Sequence, residues 1–543
     1  MHQSLEIPEI VRLIIAQFAA GAKHASNLRS LGLACRAFLE PVLDEMWHTQ
    51  INLTGFLRTF PADAMRVEYS QTASEWDVQI LRPLVPTDWE RPLFYAHRVR
   101  SYRAFEDHRR NFAEVLGILS TSLPDAHSGL LFPRLDSLVW SHSNASTCFY
   151  ITLFLAPTLR MLNMASPLLV SLLPRLPGRL PHIEIVTINL GLVKEATYGP
   201  PMSLFIQNLT SIVVLNIPVA AWQDLIHLSG LRRLMALAIG QLVGPTPQEI
   251  EARAPWRSDA FSTLRSLTFT SAPIKAVSAF FEAISSVELE KLDIGLNCLA
   301  STAAIGSLYL LIASRCSPAT LTTFCQRTKL LDGREIDDAE IPQKRINVAA
   351  LRELRVLRGL KKLAISSPAG FDLNDAGMTD IAHAFPQLEE LVLADPIPDS
   401  DELDDDGQRP TPLTVTHVTL AGLRTLGEHC PKLFRLGLSF DASIIPTPRQ
   451  PTRGKLRGPF SALAELHVRN SVLDDSIGVA RFLSGVFPGA QIMSDEYGAL
   501  PLSDHWESVL ELWEPFVAAR QEEREWARHE LELELQSDDA MVE

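Results

Sequence analysis

The sequence predicts an α/β fold in which a short three-helix head precedes a curved solenoid of strand–helix repeats. Three observations predict it. An L-x-x-L-x-L pattern returns about eleven times between Leu135 and Val468, stretches of helical periodicity lie between its copies, and residues 1–50 carry three short amphipathic segments that lack it. The expected division is a helical head at 1–50 and a linker with the N-terminal cap of the array at 51–130. The solenoid follows at 131–500, with loops near 327–358, 396–412 and 445–459, and a charged helical cap and tail occupies 501–543.

In the head, Pro8 suits a first helical turn, where its missing N–H costs nothing. Ile10, Leu13, Ile14 and Phe18 follow at helical spacing, and Gly21 ends that helix. A second helix is expected from about Ser26, with Leu28, Leu31 and Cys35 on one side and Phe38 beyond; Pro41 opens a third carrying Val42, Leu43, Met46 and Trp47. So small a domain buries little area, so it leans on a partner or on adjoining structure.

Residues 51–130 show no clean period. Trp76, Trp89, Phe94, Tyr95 and Tyr102 supply apolar surface to join head and body. Arg91, Arg98, Arg100, Arg103, Arg109 and Arg110 crowd the same stretch and read as a solvated face with arginine stems lying over aromatics.

The body opens with Leu135/Leu138/Trp140, Leu159/Leu162/Met164 and Ile183/Val186/Ile188, each 24 residues after the last. It runs on through Ile212, Leu234, Leu264 and Leu289 and, after a less regular stretch, through Leu360, Leu388, Leu433 and Leu463; the last step is 30 residues, room for a full helix. Helices are expected at Ser278–Val287, Gly377–Phe385 and Ser476–Phe487. A single strand–helix unit cannot bury its own apolar face, so neighbours stack. The runs LNDAGMTDIAHAFPQLEELVL and LRTLGEHCPKLFRLGLS resemble the long type of leucine-rich repeat. Asp399–Asp406 reads as an acidic loop without calcium-loop spacing, and two charged helices are expected after Leu500, at Trp506–Trp513 and Pro515–Gln536, ending in a disordered tail.

Composition narrows the function. With 49 basic and 64 acidic residues the chain carries a formal charge of −15, which argues against a nucleic-acid partner. Six cysteines lie far apart with no C-x-x-C pair, the usage of a reduced intracellular protein. The apolar run Ile10–Ala20 lacks the basic start of a signal sequence, and prolines break the run Tyr150–Leu176, so no membrane association is expected. Phosphate-binding, dinucleotide, metalloprotease and nucleophile-elbow motifs are missing, and the histidines show no metal-ligand spacing. No catalytic residue, cofactor or metal site is expected.

In L-x-x-L-x-L the leucines point inward while the third and fifth positions face out. In early repeats those are Ser137, Val139, Met161, Asn163, Ile185 and Thr187; in later ones they are Lys291, Asp293, Lys362, Glu390, Arg435, Glu465 and His467. Mixed charge on a rigid array suits recognition of a protein surface, so the later set is expected to bind an unidentified protein target.

The head also resembles a family. Leu5, the run Ile7-Pro8-Glu9-Ile10-Val11, the segment Leu33–Phe38, and Asp44 with Trp47 are similar to an F-box in the form common in fungal proteins; Asp88-Trp89-Glu90-Arg91 and Tyr95-Ala96 resemble the linker of such proteins. It departs in having Glu9 directly after Pro8, and Ala37-Phe38 where a central Trp is usual. The resemblance implies that the head binds the Skp adaptor of SCF (Skp–cullin–F-box) ubiquitin ligases, and through it a cullin, by way of Leu5, Ile7, Pro8, Ile10, Ile14 and Leu28. It implies a non-enzymatic substrate-recognition subunit of an E3 ligase in cytoplasm or nucleus. The alternative is a non-enzymatic leucine-rich-repeat scaffold or regulator outside any ubiquitin ligase.

Overall fold

A computed structural model describes residues 7–19, 24–70, 75–105, 112–125, 128–142, 144–190, 195–246, 256–328, 340–394, 417–447, 462–469, 471–493 and 504–540. The chain forms two compact units, Met1–Gln241 and Leu242–Glu543.

The first unit begins with helices α1 (Pro8–Ala19), α2 (His24–Ala34) and α3 (Arg36–His48). Val11, Ile15, Leu28, Phe38 and Val42 form their shared core, with Ile14, Leu31, Cys35 and Met46 packed around it. The third helix does not open at Pro41. It starts at Arg36, with Pro41 in its interior, because Cys35 is extended (φ −154°, ψ 138°) and Phe38 and Val42 must lie one turn apart to reach the core. That burial outweighs the one backbone bond Pro41 removes.

The last residue of α3 runs directly into β1 (Thr49–Gln50), the first strand of a parallel sheet. The sheet of this unit continues with β4 (Ser101–Ala104), β5 (Ser137–Trp140), β6 (Met161–Met164), β7 (Ile185–Ile188), β8 (Val214–Ala220) and β9 (Ala236–Leu242), in chain order. A separate antiparallel hairpin joins β2 (Met65–Ser70) to β3 (Glu75–Ile80). Tyr102, Leu138, Leu162, Val186 and Leu215 are direct neighbours across consecutive strands, and all are buried. The L-x-x-L-x-L leucines therefore stack into one inward row.

The second unit has a sheet in the order β10 (Ser266–Ala272), β11 (Lys291–Leu296), β12 (Thr323–Thr328), β14 (Lys362–Ser366), β16 (Glu390–Ala394), β17 (Arg435–Leu438), β18 (Glu465–His467) and β19 (Gln491–Met493). Its inward row is Leu267, Leu292, Phe324, Leu363, Leu391, Leu436, Leu466 and Ile492. A two-stranded piece, β13 (Ile346–Asn347) with β15 (Phe371–Asp372), sits beside it. Sequential parallel strands joined through helices, with leucines in register, are the architecture of a leucine-rich-repeat array.

The array holds strands that the leucine pattern does not reveal. In the β4 repeat, Val99 before the strand and Tyr102 and Ala104 on it take the inward places; in the β12 repeat, Leu321 before the strand and Phe324 and Gln326 on it do so, all buried. Gln326 is tolerated because its Oε1 accepts a hydrogen bond of 2.6 Å from the buried Tyr309 hydroxyl. Residues 340–358 add the helix Val348–Arg352, capped by Asn347, and bury Ile341, Ile346, Leu351 and Leu354.

The inter-strand helices start on caps the sequence supplies. Asn374 accepts from Gly377 N at 2.9 Å, Thr419 from Ala421 N at 3.1 Å and Asp475 from Gly478 N at 2.9 Å. Asp375 ties one repeat to the next: its carboxylate accepts from Thr419 N, Thr419 Oγ1 and Gly422 N at 2.8, 2.7 and 3.1 Å. The helix expected at Ser278–Val287 instead spans Ile274–Ala283, since Pro273 makes a natural start and Ile284 turns extended. The end of the described chain is one helix, Asp504–Ala540, rather than two. Pro515 lies exposed on it, so the carbonyl it orphans faces water, while Trp506, Val509 and Trp513 bury one face. The acidic stretch Asp399–Asp406, the 396–412 loop and most of 445–459 fall outside the described residues.

Candidate interaction surfaces

Two surfaces collect the candidate binding residues, one on each unit. The first is the outer side of the head. On α1, Val11 and Ile15 turn into the core, yet the apolar stripe is wider than that core needs. Ile7 and Phe18 are exposed, Ile10 is half-buried, and Leu13 is 67% exposed. Leu33 at the end of α2 is 80% exposed, and Leu39 on α3 is exposed as well. These exposed apolar side chains make the head a candidate contact surface.

The residues expected to meet an adaptor divide accordingly. Ile7 and Ile10 lie on the outside, whereas Ile14 packs against the core and Leu28 is inside it at 2% exposure. Leu5 and the Pro8 side chain fall outside the described residues. Helical periodicity marks which residues are apolar but not how wide a stripe three short helices can cover. Nothing in the order of residues therefore separates Leu33 and Leu39 from core leucines.

The head is fastened to the segment after it. Trp47 at the end of α3 stacks on Tyr95, ring centroids 4.4 Å apart and 22° from coplanar. Arg98 donates to Glu40 and Asp44, both on α3, and its guanidinium lies 4.6 Å from the centre of the Phe94 ring. Burial works against the Arg98 charge, but the hydrogen bonds to Glu40 and Asp44 more than offset it and hold its pKa above the ordinary value. The sequence led us to expect a solvated face; the Arg98 side chain is instead only 12% exposed, and the carboxylates that receive its guanidinium, 54 and 58 residues upstream, are a tertiary fact. The Trp76 side chain, Arg109 and Arg110 lie outside what the structure describes.

The second surface is the outward side of the sheet in the second unit. Lys291, Thr323, Lys362, Glu390, Arg435, Glu465 and Gln491 are direct neighbours across successive strands. Four of them alternate in sign and pair along the row. Lys362 meets Glu390 at 2.8 Å, Arg435 meets Glu390 at 3.5 Å, and Arg435 Nε meets Glu465 at 2.5 Å. In the next row, Asp293 pairs with Arg327 at 2.7 Å, and His467 Nε2 lies 3.5 Å from Glu465.

The seven positions expected to face out along the strands differ in how much solvent they meet. Asp293, Glu390 and His467 are buried, Lys362, Arg435 and Glu465 are half-buried, and only Lys291 is exposed. Strands lie about 4.8 Å apart, so long side chains in one row reach each other before they reach a partner. The result is a rigid band of alternating charge whose geometry is set before anything binds.

The hydrogen bond from Arg435 holds the Glu465 carboxyl below its usual range, and the same bond raises Arg435. A carboxyl depressed on folding adds stability above its unfolded pKa of about 4.3, and that stability is lost as pH falls through the lower folded value. Glu465→Gln is therefore expected to lower the melting temperature at pH 7, with the gap from the unmodified protein closing as the pH is taken from about 5 to below the depressed value. A gap that stays constant over that range would remove the assignment.

Cys325 stands in the outward row beside Asp293, and burial raises its thiol above the ordinary value. Burial pushes the Cys316 thiol up to about 12 and Cys430 up to about 11, so neither forms a thiolate near neutral pH. Cys298 is exposed. Among the described residues no helix is long and apolar enough to cross a membrane.

Comparison with protein-family models gives no match, and none of the curated proteins matches the chain. Solved structures do. The leucine-rich-repeat-containing protein LegL7 from Legionella pneumophila aligns over 60% of this chain and 97% of its own, at 14% identity and a TM-score of 0.29. An internalin (inlF) from Listeria monocytogenes aligns over 71% of this chain and 95% of its own, at 12% identity and a TM-score of 0.31. The repeat architecture itself stands on the strand register and the buried leucine row.

Proposed function

We propose that this protein is the substrate-recognition subunit of an SCF-type E3 ubiquitin ligase. Its head docks on the Skp adaptor, and through it a cullin, while its repeats hold a target protein. It performs no chemistry itself and contributes proximity, placing the target where a partner enzyme transfers ubiquitin. The observation that carries this reading is the surplus apolar surface of the head: Ile7, Leu13, Phe18, Leu33 and Leu39 are left outside a core that Val11, Ile15, Leu28, Phe38 and Val42 already fill. The Arg98 and Trp47–Tyr95 contacts support it further, since a ligase receptor must hold its head at a fixed attitude to its own repeats. The charged band of Lys362, Glu390, Arg435 and Glu465 supplies a preorganised target face.

Co-purification with the Skp adaptor tests it. The unmodified protein is expected to retain the adaptor, and the pair Ile7→Asp and Ile10→Asp to lose it at least about tenfold with helical content unchanged, because neither residue belongs to the core. Ile14 is a poorer probe, as its replacement disturbs the core. Failure of the unmodified protein to bind would leave the scaffold reading in its place. In the same preparations, chemical cross-linking is expected to trap target proteins that Arg435→Ala with Glu465→Ala no longer traps; an unchanged pattern sinks the target face.

A further inference from the structure

We propose a divalent transition-metal site formed by His383 and His429, on neighbouring helices of the second unit, independent of the ligase reading. His383 lies near the end of the helix Asp375–Ala384 and His429 ends the helix Leu420–His429. Both side chains are exposed, and their rings meet with centroids 4.4 Å apart at 46°.

What makes this more than two rings in contact is the state of their nitrogens. His383 Nδ1 lies 2.7 Å from the Thr379 carbonyl oxygen and His429 Nδ1 lies 3.0 Å from that of Thr425. A carbonyl oxygen only accepts, so in both rings Nδ1 carries the proton and donates. In the neutral ring Nε2 is then a bare lone pair. A ring nitrogen bonded to a backbone carbonyl, with the other left free, is the arrangement that orients metal-ligating histidines and makes them better donors.

The same device occurs twice because the repeats supply it twice, as Thr379…His383 and Thr425…His429, each a threonine followed four residues later by a histidine. In both, the threonine hydroxyl bonds one turn back, to Asp375 O at 2.9 Å and Ala421 O at 3.1 Å, which stiffens the turn bearing the carbonyl. Two imidazole nitrogens on one zinc, each at about 2.0–2.1 Å, lie roughly 3.3 Å apart in tetrahedral geometry. In that geometry the ring centroids lie about 5 Å apart, so the exposed rings, in contact at 4.4 Å, turn outward about their side-chain bonds to take the ion between them. Imidazole pairs favour Zn²⁺ and Cu²⁺ over Mg²⁺ or Ca²⁺, which take oxygen ligands.

Cys430 is the neighbour in sequence but not a ligand. Its Sγ is buried against the Ala382 and Phe385 carbonyls at 3.8 and 3.7 Å. Among the described residues no cluster of three or more His, Cys, Asp or Glu side chains suited to a metal exists. The protein therefore offers two ligands here, and water completes the coordination.

Equilibrium dialysis of the full chain against Zn²⁺, with electron paramagnetic resonance of the Cu²⁺-loaded protein, tests this. Expected are one equivalent of metal removed by chelator and a Cu²⁺ spectrum with coupling to two imidazole nitrogens. His383→Asn and His429→Asn each weaken that equivalent about tenfold or more, and the double variant loses it altogether. Circular dichroism checks that the variants fold, with His383→Gln and His429→Gln as second variants. No saturable equivalent, or single variants that each keep half of the binding, overturns the paired site.

Discussion

Phe280→Ala is expected to lower the stability of the second unit by about 3–5 kcal/mol, the range for emptying a buried phenylalanine site. Phe280 is 1% exposed and packs against four other aromatic rings: Trp256, Phe261, Phe269 and Phe281, with centroids 5.4–5.5 Å away. Trp256 and Phe261 precede the strand that carries Phe269, and Phe280 and Phe281 belong to the helix after it, so the cluster fastens strand to helix within a repeat. Stiff, interlocked rings relax little into a cavity, which places the effect at the upper end of such substitutions. Urea titration should show a lower midpoint with an unchanged slope, and Phe280→Leu should lose much less. A loss below about 1 kcal/mol for the alanine variant would mean that the rings are in contact without holding the repeat together.

Arg98→Ala with Tyr95→Ala is expected to loosen the head without unfolding the array. Arg98 is 12% exposed on its side chain, but Glu40 and Asp44 are more than 60% exposed and recover water when it is removed. That discounts the pair to about 1–2 kcal/mol, with the lost Trp47 stacking adding about 1 kcal/mol. Hydrogen exchange of α1–α3 should accelerate about tenfold or more, while β5–β8 stay as protected as before. Equal acceleration in both regions, or none in the head, would refute the idea that these contacts set its attitude.

How much of this was legible in the chain differs from residue to residue. Leu138, Leu162 and Val186 recur at a fixed step, and in the structure they are direct neighbours in one buried row. Asn374 and Asp475 are residue types that cap helices wherever the backbone leaves donors unmet, and both do so. These features depend on neighbours in sequence or on repetition, so a linear reading finds them.

Features that depend on a distant partner were not legible. The β12 repeat was hidden because Gln326 occupies a leucine place, where Tyr309, on the preceding helix, gives its buried Oε1 a partner. Pro41 and Pro515 look like helix boundaries by their own chemistry, yet core residues Phe38 and Val42 flank Pro41, and the last helix runs on past Pro515 from a face buried by Trp506, Val509 and Trp513. Leu28 and Leu33 read alike on one helix, and packing alone makes the first core and the second surface.

The same division holds for the candidate surfaces. Period and composition alone determined a parallel repeat array with a helical head, because leucine spacing and turn chemistry are local and each repeat must bury its face against the next. Tertiary structure decided what each surface offers. The charges at Lys362, Glu390, Arg435 and Glu465 were plain in the sequence, but their mutual pairing exists only once strands 28 to 45 residues apart are laid side by side. Coulomb attraction and hydrogen bonding act over a few ångströms of space, not along the chain.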